Sequence, residues 1–333
     1  MRTLRPVSAI LLIVLVFSIM QVNGQVSHTP LFDGESAYSF LTGQCDFGPR
    51  PPGSENLTLC RAYIVEALES FNWTVSLQNF TYRETACSNI IATWPGAVNS
   101  PIVLGAHYDT RPNATSDHPN NRSIPILGAN DGGSGTAVLM ELARILPTAE
   151  RSKVELVFFD AEDSGGLDGW EWIQGSVYYV SELTTQRITT IEAMVLVDIV
   201  GDANLYLPKE GTSTDSLQNV IWEIAADLGY NSTFVDTPGG SVTDDHRPFL
   251  DVGIPAVDII QVPFPSYWHT LEDTPDKCSA ESLEIVGEVI EVFVVGYDTD
   301  NGTFLLDTPY VLYGTLIIIA ITIIFVLYQR TKR

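Results

Sequence analysis

The chain has 333 residues, 45% of them hydrophobic, which is enough for one large α/β domain or two small ones. Its 41 acidic residues outnumber 17 basic ones, so the formal net charge at pH 7 is −24. This charge argues against nucleic acid or anionic lipid as a partner, because both are bound through Lys and Arg. The apolar fraction can supply a full core, which argues against a disordered chain.

Both ends of the chain have the patterns of membrane-targeting segments. Residues 1–24 begin with two arginines, continue as an apolar run and end in small residues, which is typical of a signal peptide. Residues 309–328 are uncharged and long enough to cross a bilayer, and the basic tail 329–333 follows directly. We therefore predict an extracellular or luminal domain over 25–308, a transmembrane helix and a short cytoplasmic tail.

Glycosylation sequons and cysteines agree with export from the cytoplasm. Seven Asn-x-Ser/Thr sequons begin at Asn56, Asn72, Asn79, Asn113, Asn121, Asn231 and Asn301. In an oxidising compartment the four cysteines would form up to two disulfides, with three possible pairings. These cysteines are Cys45, Cys60, Cys87 and Cys278, and none lies in a nucleophile motif.

Taken in chain order, the elements indicate an α/β domain. Helical spacing of apolar residues predicts a helix over 56–71, and strand-like segments follow near 75–80 and 90–94. Four apolar runs then alternate with helix candidates. The runs are PIVLGAHYD, KVELVFFDAED, EAMVLVDIVGD and GIPAVDII, and the candidates cover 133–146, 171–183, 213–228 and 280–296. This alternation predicts a mostly parallel sheet covered on both faces.

Polar residues cluster where these predicted strands end, which is where such sheets bind ligands. Zinc prefers about four N, O or S ligands. Two imidazoles and three carboxylates form the inventory of a two-metal site with one bridging carboxylate: His107, His269, Asp131, Asp163 and Asp198. Glu162 would remain free to move protons. The alternative is that these acids only cap helices at strand ends.

Five motifs, in this order and spacing, resemble the zinc metallopeptidase family of two-zinc aminopeptidases and glutaminyl cyclases. They are GAHYDTR, GANDGGSG, FFDAED, LVDIVGD and DDHRPFLDVGIPAVDII…WHTLEDT, and the resemblance covers roughly residues 35–297. It implies a phosphorylase/hydrolase-like fold, a three-layer sandwich around a central mixed, mostly parallel sheet. It also implies zinc as the cofactor and a peptide N-terminus as the substrate.

The resemblance assigns metal-binding roles position by position. Asp131 corresponds to the bridging carboxylate, with a cis peptide bond before Gly132. Asp163 and His269 complete the first metal site, and His107 with Asp198 completes the second.

The remaining assignments concern catalysis and substrate binding. Asp109 would orient His107, Glu162 would be the general acid/base, and Asp244 a hydrogen-bonding partner in the reaction. Trp268 would wall the substrate pocket, with Trp170 or Trp172 as a second wall; we favour Trp170.

Two reactions of this family stay open. DDHRPFL, PFP and Trp268 favour a glutaminyl cyclase, which needs one zinc ion, whereas NDGGSG and the second set of ligands favour a two-zinc aminopeptidase. Asp258 stands where animal cyclases have a histidine, and Asp163 replaces a glutamate common to both branches. We predict a membrane-anchored cyclase, with the aminopeptidase as the first alternative and a non-catalytic, receptor-like ectodomain as the second.

Overall fold

The computed structural model describes residues 28–298 and 303–304. The predicted signal peptide, the predicted membrane span at 309–328 and the tail lie outside these residues. Within the described ranges, no helix combines the length and the apolar character that crossing a bilayer requires. The fold is that of the unit Pro30–Phe304, one of two units into which the chain divides.

A six-stranded mixed sheet forms the centre of this unit. The strands in chain order are β1 (Thr74–Tyr82), β2 (Thr85–Thr93), β3 (Ile102–His107), β4 (Val154–Phe159), β5 (Ala193–Asp198), β6 (Leu207–Lys209), β7 (Phe234–Pro238), β8 (Ala256–Ile260), β9 (Tyr297–Asp298) and β10 (Thr303–Phe304). The central order is β1-β2-β4-β3-β5-β8. Strands β4, β3, β5 and β8 run parallel to one another, whereas β2 is antiparallel to both of its neighbours, β1 and β4. The pairs β6–β7 and β9–β10 form two small sheets. The predicted α/β fold with a mixed central sheet is confirmed.

The helices surround this sheet. They are α1 (Gly34–Cys45), α2 (Glu55–Ser70), α3 (Gly133–Ile145), α4 (Gln174–Ser181), α5 (Thr185–Thr190), α6 (Asp215–Asp227), α7 (Arg247–Asp251) and α8 (Ala280–Val295). The helices predicted over 56–71, 133–146, 213–228 and 280–296 are confirmed as α2, α3, α6 and α8. The helix predicted over 171–183 begins only at Gln174, because Ile173 before it has a left-handed φ of +59°.

Burial on both faces explains why the parallel strands appear in the sequence as continuous apolar runs. Every residue of β3 and of β5 is buried. On one face, Phe159 and Leu196 pack with Tyr179 of α4 and Phe249 of α7. On the other face, α3 lies so close that a Cβ at Gly135 would be 1.9 Å from the carbonyl oxygen of Val197. This packing fixes the carboxyl ends of the strands.

The predicted disulfides are absent from the structure, so this prediction is wrong here. All four cysteines are buried free thiols. Each is taken up by the packing of its own element, where a thiol behaves as a small apolar side chain. Burial raises the pKa of Cys45 and Cys60 to about 11, so both stay protonated at neutral pH.

Candidate metal centre

The carboxyl ends of the parallel strands bring the five predicted ligands together. His107 ends β3 and Asp198 ends β5, while Asp163 follows β4. Asp131 stands just before α3, and His269 lies on the loop after β8 (residues 261–274, the His269 loop). His107, Asp131 and Asp198 form one group, and Asp131, Asp163 and His269 form another; within each group the candidate ligand atoms lie within 4.8 Å of one another.

Asp131 belongs to both groups and faces each histidine with a different oxygen. Its Oδ1 lies 3.2 Å from Nε2 of His107, and its Oδ2 lies 3.3 Å from Nε2 of His269. Nε2 of His107 is also 3.1 Å from Oδ1 of Asp198, and Nε2 of His269 is 3.2 Å from Oδ1 of Asp163. This is the arrangement that a carboxylate bridging two metal ions requires.

Unpaired buried oxygens indicate that the two groups suit a metal. Oδ2 of Asp131 and Oδ2 of Asp163 are buried and have no hydrogen-bond partner. Buried polar atoms are normally paired, so these lone pairs are available for coordination. Imidazole nitrogen and carboxylate oxygen are both zinc donors, and the residues therefore fit one or two zinc ions.

The electrostatics of the cluster support the same interpretation. Burial opposes the charged form of His269, yet Asp163 and Asp131 raise the pKa of this imidazole to about 9. The pKa of His107 is raised in the same way, chiefly by Asp198 acting against burial. Burial raises the pKa of the Asp163 and Asp198 carboxyls, whereas contacts with both imidazoles outweigh burial and lower that of Asp131. The site concentrates negative charge that protons or metal cations can balance.

Left-handed backbone conformations occur at or beside two predicted ligands and orient their side chains. Ile199 after Asp198 has a φ of +48°, and His269 itself has a φ of +57°. A positive φ is unfavourable for these residue types, and the surrounding structure has to hold it in place. The turn at Ile199 is secured locally, because its N–H donates to Oδ1 of Asp198 at 2.8 Å.

The chain enters helix α3 through a different backbone conformation from the one predicted. A cis peptide bond before Gly132 was expected, but the one cis peptide bond among the described residues is Val262–Pro263, so this prediction is wrong. Gly132 instead reverses the chain with a φ of +89°. A Cβ at this position would lie 2.4 Å from the carbonyl oxygen of Asp109, which explains the need for glycine.

Asp109, which the resemblance predicts to orient His107, lies next to it and also holds the next strand end. Its Oδ1 is 3.6 Å from Nδ1 of His107. The same carboxylate accepts hydrogen bonds from the N–H groups of Glu162 at 3.1 Å and Asp163 at 3.2 Å. One side chain therefore links the ends of β3 and β4.

Asp273 has a comparable role that the sequence did not reveal. Its carboxylate accepts hydrogen bonds from the N–H groups of Asn130 at 2.8 Å and Asp131 at 3.1 Å. These contacts tie Asp131, the predicted bridging carboxylate, to the His269 loop. The available signal was its place in the motif WHTLEDT, where no role was assigned to it.

Glu162 has the properties of a group that exchanges protons. Its side chain is nearly buried, and its Oε2 lies 3.9 Å from Nδ1 of His107. Among the described residues, no group donates a hydrogen bond to its carboxylate. Burial raises its pKa well above that of an ordinary carboxyl, with Asp163 and Asp244 adding to the effect and His107 opposing it. A buried carboxyl with a raised pKa and no hydrogen-bond donor on it suits general acid/base catalysis.

Asp244 is buried, and its pKa is raised by burial and by the nearby charges of Asp198 and Asp245. In the same part of the chain His246, to which the sequence assigned no role, is fully buried. Nδ1 of His246 lies 3.7 Å from Oδ2 of Asp258, the residue that the resemblance matches with a histidine of animal cyclases. An imidazole is therefore present beside this position, although it comes from a different residue.

Two tryptophans lie against His269. Trp268 stacks on its imidazole with ring centroids 3.5 Å apart, and Trp172 lies parallel to it at 6.1 Å. Trp170, which we favoured as the second wall, instead packs edge-on against Tyr82 at 5.1 Å. Trp172 is therefore the better-placed candidate for that wall.

Arg111 is the second functional candidate that sequence reasoning missed, although it ends the motif GAHYDTR. Its Nη1 donates to Oδ1 of Asp163 at 3.0 Å, and both side chains are buried. The guanidinium also lies 4.7 Å above the ring of Trp172. Arg111 thus connects a predicted ligand with the aromatic group beside His269.

The mixed sheet carries two carboxylate–imidazole groups at the ends of its strands, and the two groups share one aspartate. This is the architecture of an α/β metalloenzyme. Comparison with known proteins defines the family. The sequence profile of peptidase family M28 matches residues 89–294, and the chain belongs to this family.

Individual relatives span most of the chain. Glutaminyl-peptide cyclotransferase of Bos taurus is 25% identical over 289 residues, covering 74% of this chain and 78% of the relative. The crystal structure of Porphyromonas gingivalis glutaminyl cyclase superposes with a TM-score of 0.73 at 33% identity, covering 79% of this chain and 98% of the other. A Zn-dependent exopeptidase from Parabacteroides distasonis gives a TM-score of 0.73 at 30% identity, covering 80% and 99%.

Proposed function

We propose that the chain is a zinc-dependent glutaminyl cyclase, which converts the N-terminal Gln of a peptide to pyroglutamate and releases ammonia. The observation that carries this proposal is the group of Asp131, Asp163 and His269, with Trp268 stacked on His269. Glu162, the proposed acid/base, is a nearly buried carboxyl with a raised pKa, 3.9 Å from Nδ1 of His107, and it follows β4 directly before the predicted ligand Asp163. The similarity to glutaminyl cyclases from Bos taurus and Porphyromonas gingivalis supports the same reaction.

Asp131, Asp163 and His269 would hold the one zinc ion that the reaction needs. When bound, zinc supplies a Lewis acid that polarises the γ-carboxamide of the substrate. Glu162 accepts a proton from the α-amine as its nitrogen attacks the carboxamide carbon, and returns it to the leaving amide nitrogen. The new C–N bond closes a five-membered ring while the bond to ammonia breaks, and no water is consumed. Trp268 lies where it can wall the Gln side chain.

The second candidate is a two-zinc aminopeptidase. The group of His107, Asp131 and Asp198 favours it, because this group offers a complete second set of ligands. The similarity to the Zn-dependent exopeptidase supports it as well. In this reaction Glu162 would take a proton from the water that attacks the first peptide carbonyl.

Mass spectrometry of a Gln-initiated peptide incubated with the purified, zinc-loaded chain distinguishes the two reactions. Loss of ammonia faster than in a blank without protein establishes the cyclase. Loss of a whole N-terminal residue establishes the aminopeptidase. No change with several N-terminal residues would contradict both and favour a receptor-like ectodomain.

The substitution Glu162→Gln tests the assignment of the acid/base. We expect it to keep zinc and to lower kcat by about 10²–10⁴-fold, the usual contribution of such a group. Glu171→Gln removes the charge of an exposed acid nearby in the chain and serves as the control. Wild-type rates in Glu162→Gln would exclude Glu162 as the catalytic group.

We further propose that residues 309–328 anchor the chain in a membrane, with the catalytic domain on the extracellular or luminal side. The supporting observations are the uncharged segment followed by a basic tail, the signal-like residues 1–24 and the seven sequons. Glycosidase digestion of protein from a secretory host, together with carbonate extraction of its membranes, tests this. A chain that is unglycosylated and washed off the membrane would contradict it.

A further inference from the structure

A cavity of about 720 Å³ lies beside the His269 loop and contains none of the predicted metal ligands. Tyr267 and Thr270, on either side of Trp268 and His269 in the chain, line it. Ser116 also lines it, and its N–H donates to the carbonyl oxygen of His269 at 3.0 Å. The cavity and the candidate metal centre therefore share the His269 loop as a wall.

The lining of this cavity is strongly acidic. Four carboxyl groups and one ammonium group line it, together with the imidazole of His118. The charged residues are Asp117, Asp202, Glu272, Asp276 and Lys277. Lys277 lies 2.9 Å from a carboxylate oxygen of Asp276 and 3.6 Å from one of Glu272. One cation therefore offsets only part of the charge of four acids.

Two of these acids are held in their ionised form. A hydrogen bond from the N–H of Leu271 lowers the pKa of Asp117 below its usual value. A hydrogen bond from the hydroxyl of Thr274 lowers the pKa of Asp276 in the same way. Asp117 and Asp276 therefore keep their negative charge at neutral pH.

Gln261 adds an unpaired acceptor to the lining. Its side chain is only 8% exposed, and its Oε1 has no hydrogen-bond partner. Its Nε2 donates to Oδ2 of Asp202 at 3.5 Å, which leaves the amide oxygen for another donor. Asp202 is 6% exposed and also accepts a hydrogen bond from the hydroxyl of Tyr267 at 2.9 Å. Leaving a buried acceptor unpaired costs free energy, so a ligand that donates hydrogen bonds is favoured here.

The geometry favours an organic cation over a metal ion. Among the described residues, the sets of three ligating side chains that converge within 4.8 Å are the two that contain Asp131. The cavity acids do not converge in this way, although a bound divalent cation needs several oxygens around one point. A guanidinium has five donors in a planar fork and can reach separated acceptors.

We propose that this cavity binds the cationic side chain of a basic residue, arginine above all, downstream of the reacting N-terminal residue of a peptide substrate. The proposal rests on the proposed action at peptide N-termini. Tyr267 and His269 are two residues apart, so their Cα atoms lie within about 7 Å. An extended peptide advances about 3.3 Å per residue, so the proposal places the cationic side chain about three residues downstream of the reacting residue.

The test compares two Gln-initiated peptides that are identical except for one residue, arginine or its neutral analogue citrulline, at the third or fourth position. With the purified, zinc-loaded chain at low salt, we expect KM for the arginine peptide to be about two- to fivefold lower, as one partly exposed ion pair allows. The advantage should shrink as salt screens the charges. Equal KM values for the two peptides at both positions would overturn the proposal.

Two substitutions in the cavity locate the effect. Glu272→Gln removes a charge from a side chain that is 74% exposed, so the fold does not depend on it. Asp202→Asn removes the buried charge at constant shape. Both should reduce the preference for arginine, whereas the control Glu69→Gln, an exposed acid on α2, should keep it. A preference that survives both cavity variants would place the cation elsewhere and overturn the proposal.

Failure of the proposed function is distinguishable from failure of this inference. If neither peptide loses ammonia or a residue, equilibrium binding of fluorescently labelled arginine and citrulline peptides decides the point. Tighter binding of the arginine peptide, abolished by Asp202→Asn and kept by Glu69→Gln, supports the cavity without turnover. Equal binding of both peptides overturns it.

Discussion

Replacing Arg111 by alanine tests how the ligand Asp163 is held. Nη1 of Arg111 lies 3.0 Å from Oδ1 of Asp163, and the two side chains are only 6% and 1% exposed. The guanidinium also donates to the carbonyl oxygens of Asp163 at 3.3 Å and Gly165 at 3.2 Å. Removing it leaves a buried carboxylate without its guanidinium partner and takes the cation from the face of Trp172.

The expected magnitudes follow from these contacts. Removing one partner of a buried ion pair costs about 3–5 kcal/mol. Because His269 remains 3.2 Å from Asp163, we expect the lower end, a loss of about 3 kcal/mol in the free energy of unfolding. Losing the contact that positions a ligand should also weaken zinc binding by about 10- to 100-fold. Arg111→Lys keeps the charge without the planar fork and should recover only part of both.

Urea unfolding of the metal-free protein and competition for zinc against a chromogenic chelator measure the two effects separately. Arg247→Ala is the matched control, because Arg247 pairs with Asp251 at 3.6 Å on the surface and should contribute less than about 1 kcal/mol. If Arg111→Ala binds zinc within twofold of the wild type, then the ion pair does not position Asp163 for the metal.

Three further changes probe the site and its surroundings. His269→Ala removes the imidazole of one ligand group and should lower the zinc content after dialysis; full retention of zinc would contradict the ligand role. Trp268→Ala should raise KM more than it weakens zinc binding, whereas Trp170→Ala should change neither, and an unchanged KM in Trp268→Ala would favour a packing role. Burial raises the pKa of Asp160 to about 7, against about 4 in the unfolded chain. The stability that this carboxyl contributes is therefore full below pH 4, where it is protonated in both states, and is lost as the pH rises to about 7. In urea unfolding, the stability of Asp160→Asn relative to the wild type should therefore increase by about 2–3 kcal/mol between pH 5 and pH 8, and a difference independent of pH would refute this.

The fold could be predicted where one physical cause dominates. The strands β3 and β5 are buried on both faces, so their apolar runs indicate strands without help from distant residues. Helix α1 was not predicted, because its sequence GESAYSFLTGQC contains two glycines and several small polar residues of low helix propensity. Its Asp33 cap and its packing against α3 and α8 stabilise it instead.

The candidate site also contains residues that the sequence predicts and residues that it does not. The ligands follow strand ends, and the topology of a parallel sheet brings such positions together. Arg111 and Asp273 act across 52 and 143 residues of sequence, and no local pattern marks such contacts. Trp172, which lies parallel to the ring of His269, packs closely on Gly165, where a Cβ would lie 2.0 Å from the Trp172 ring. Tertiary packing decides these details.

The two ligand groups are not equivalent, although they share Asp131. Arg111 places a positive charge directly on Asp163, which offsets part of the negative charge of the group that contains His269. The group that contains His107 and Asp198 has no ion pair with Arg or Lys among the described residues, and its neighbours include the carboxyls of Asp109 and Glu162. The aromatic rings of Trp268 and Trp172 lie at the His269 group. The two groups therefore differ in their charged and aromatic neighbours, and the choice between cyclase and aminopeptidase depends on whether the His269 group alone or both groups would hold zinc.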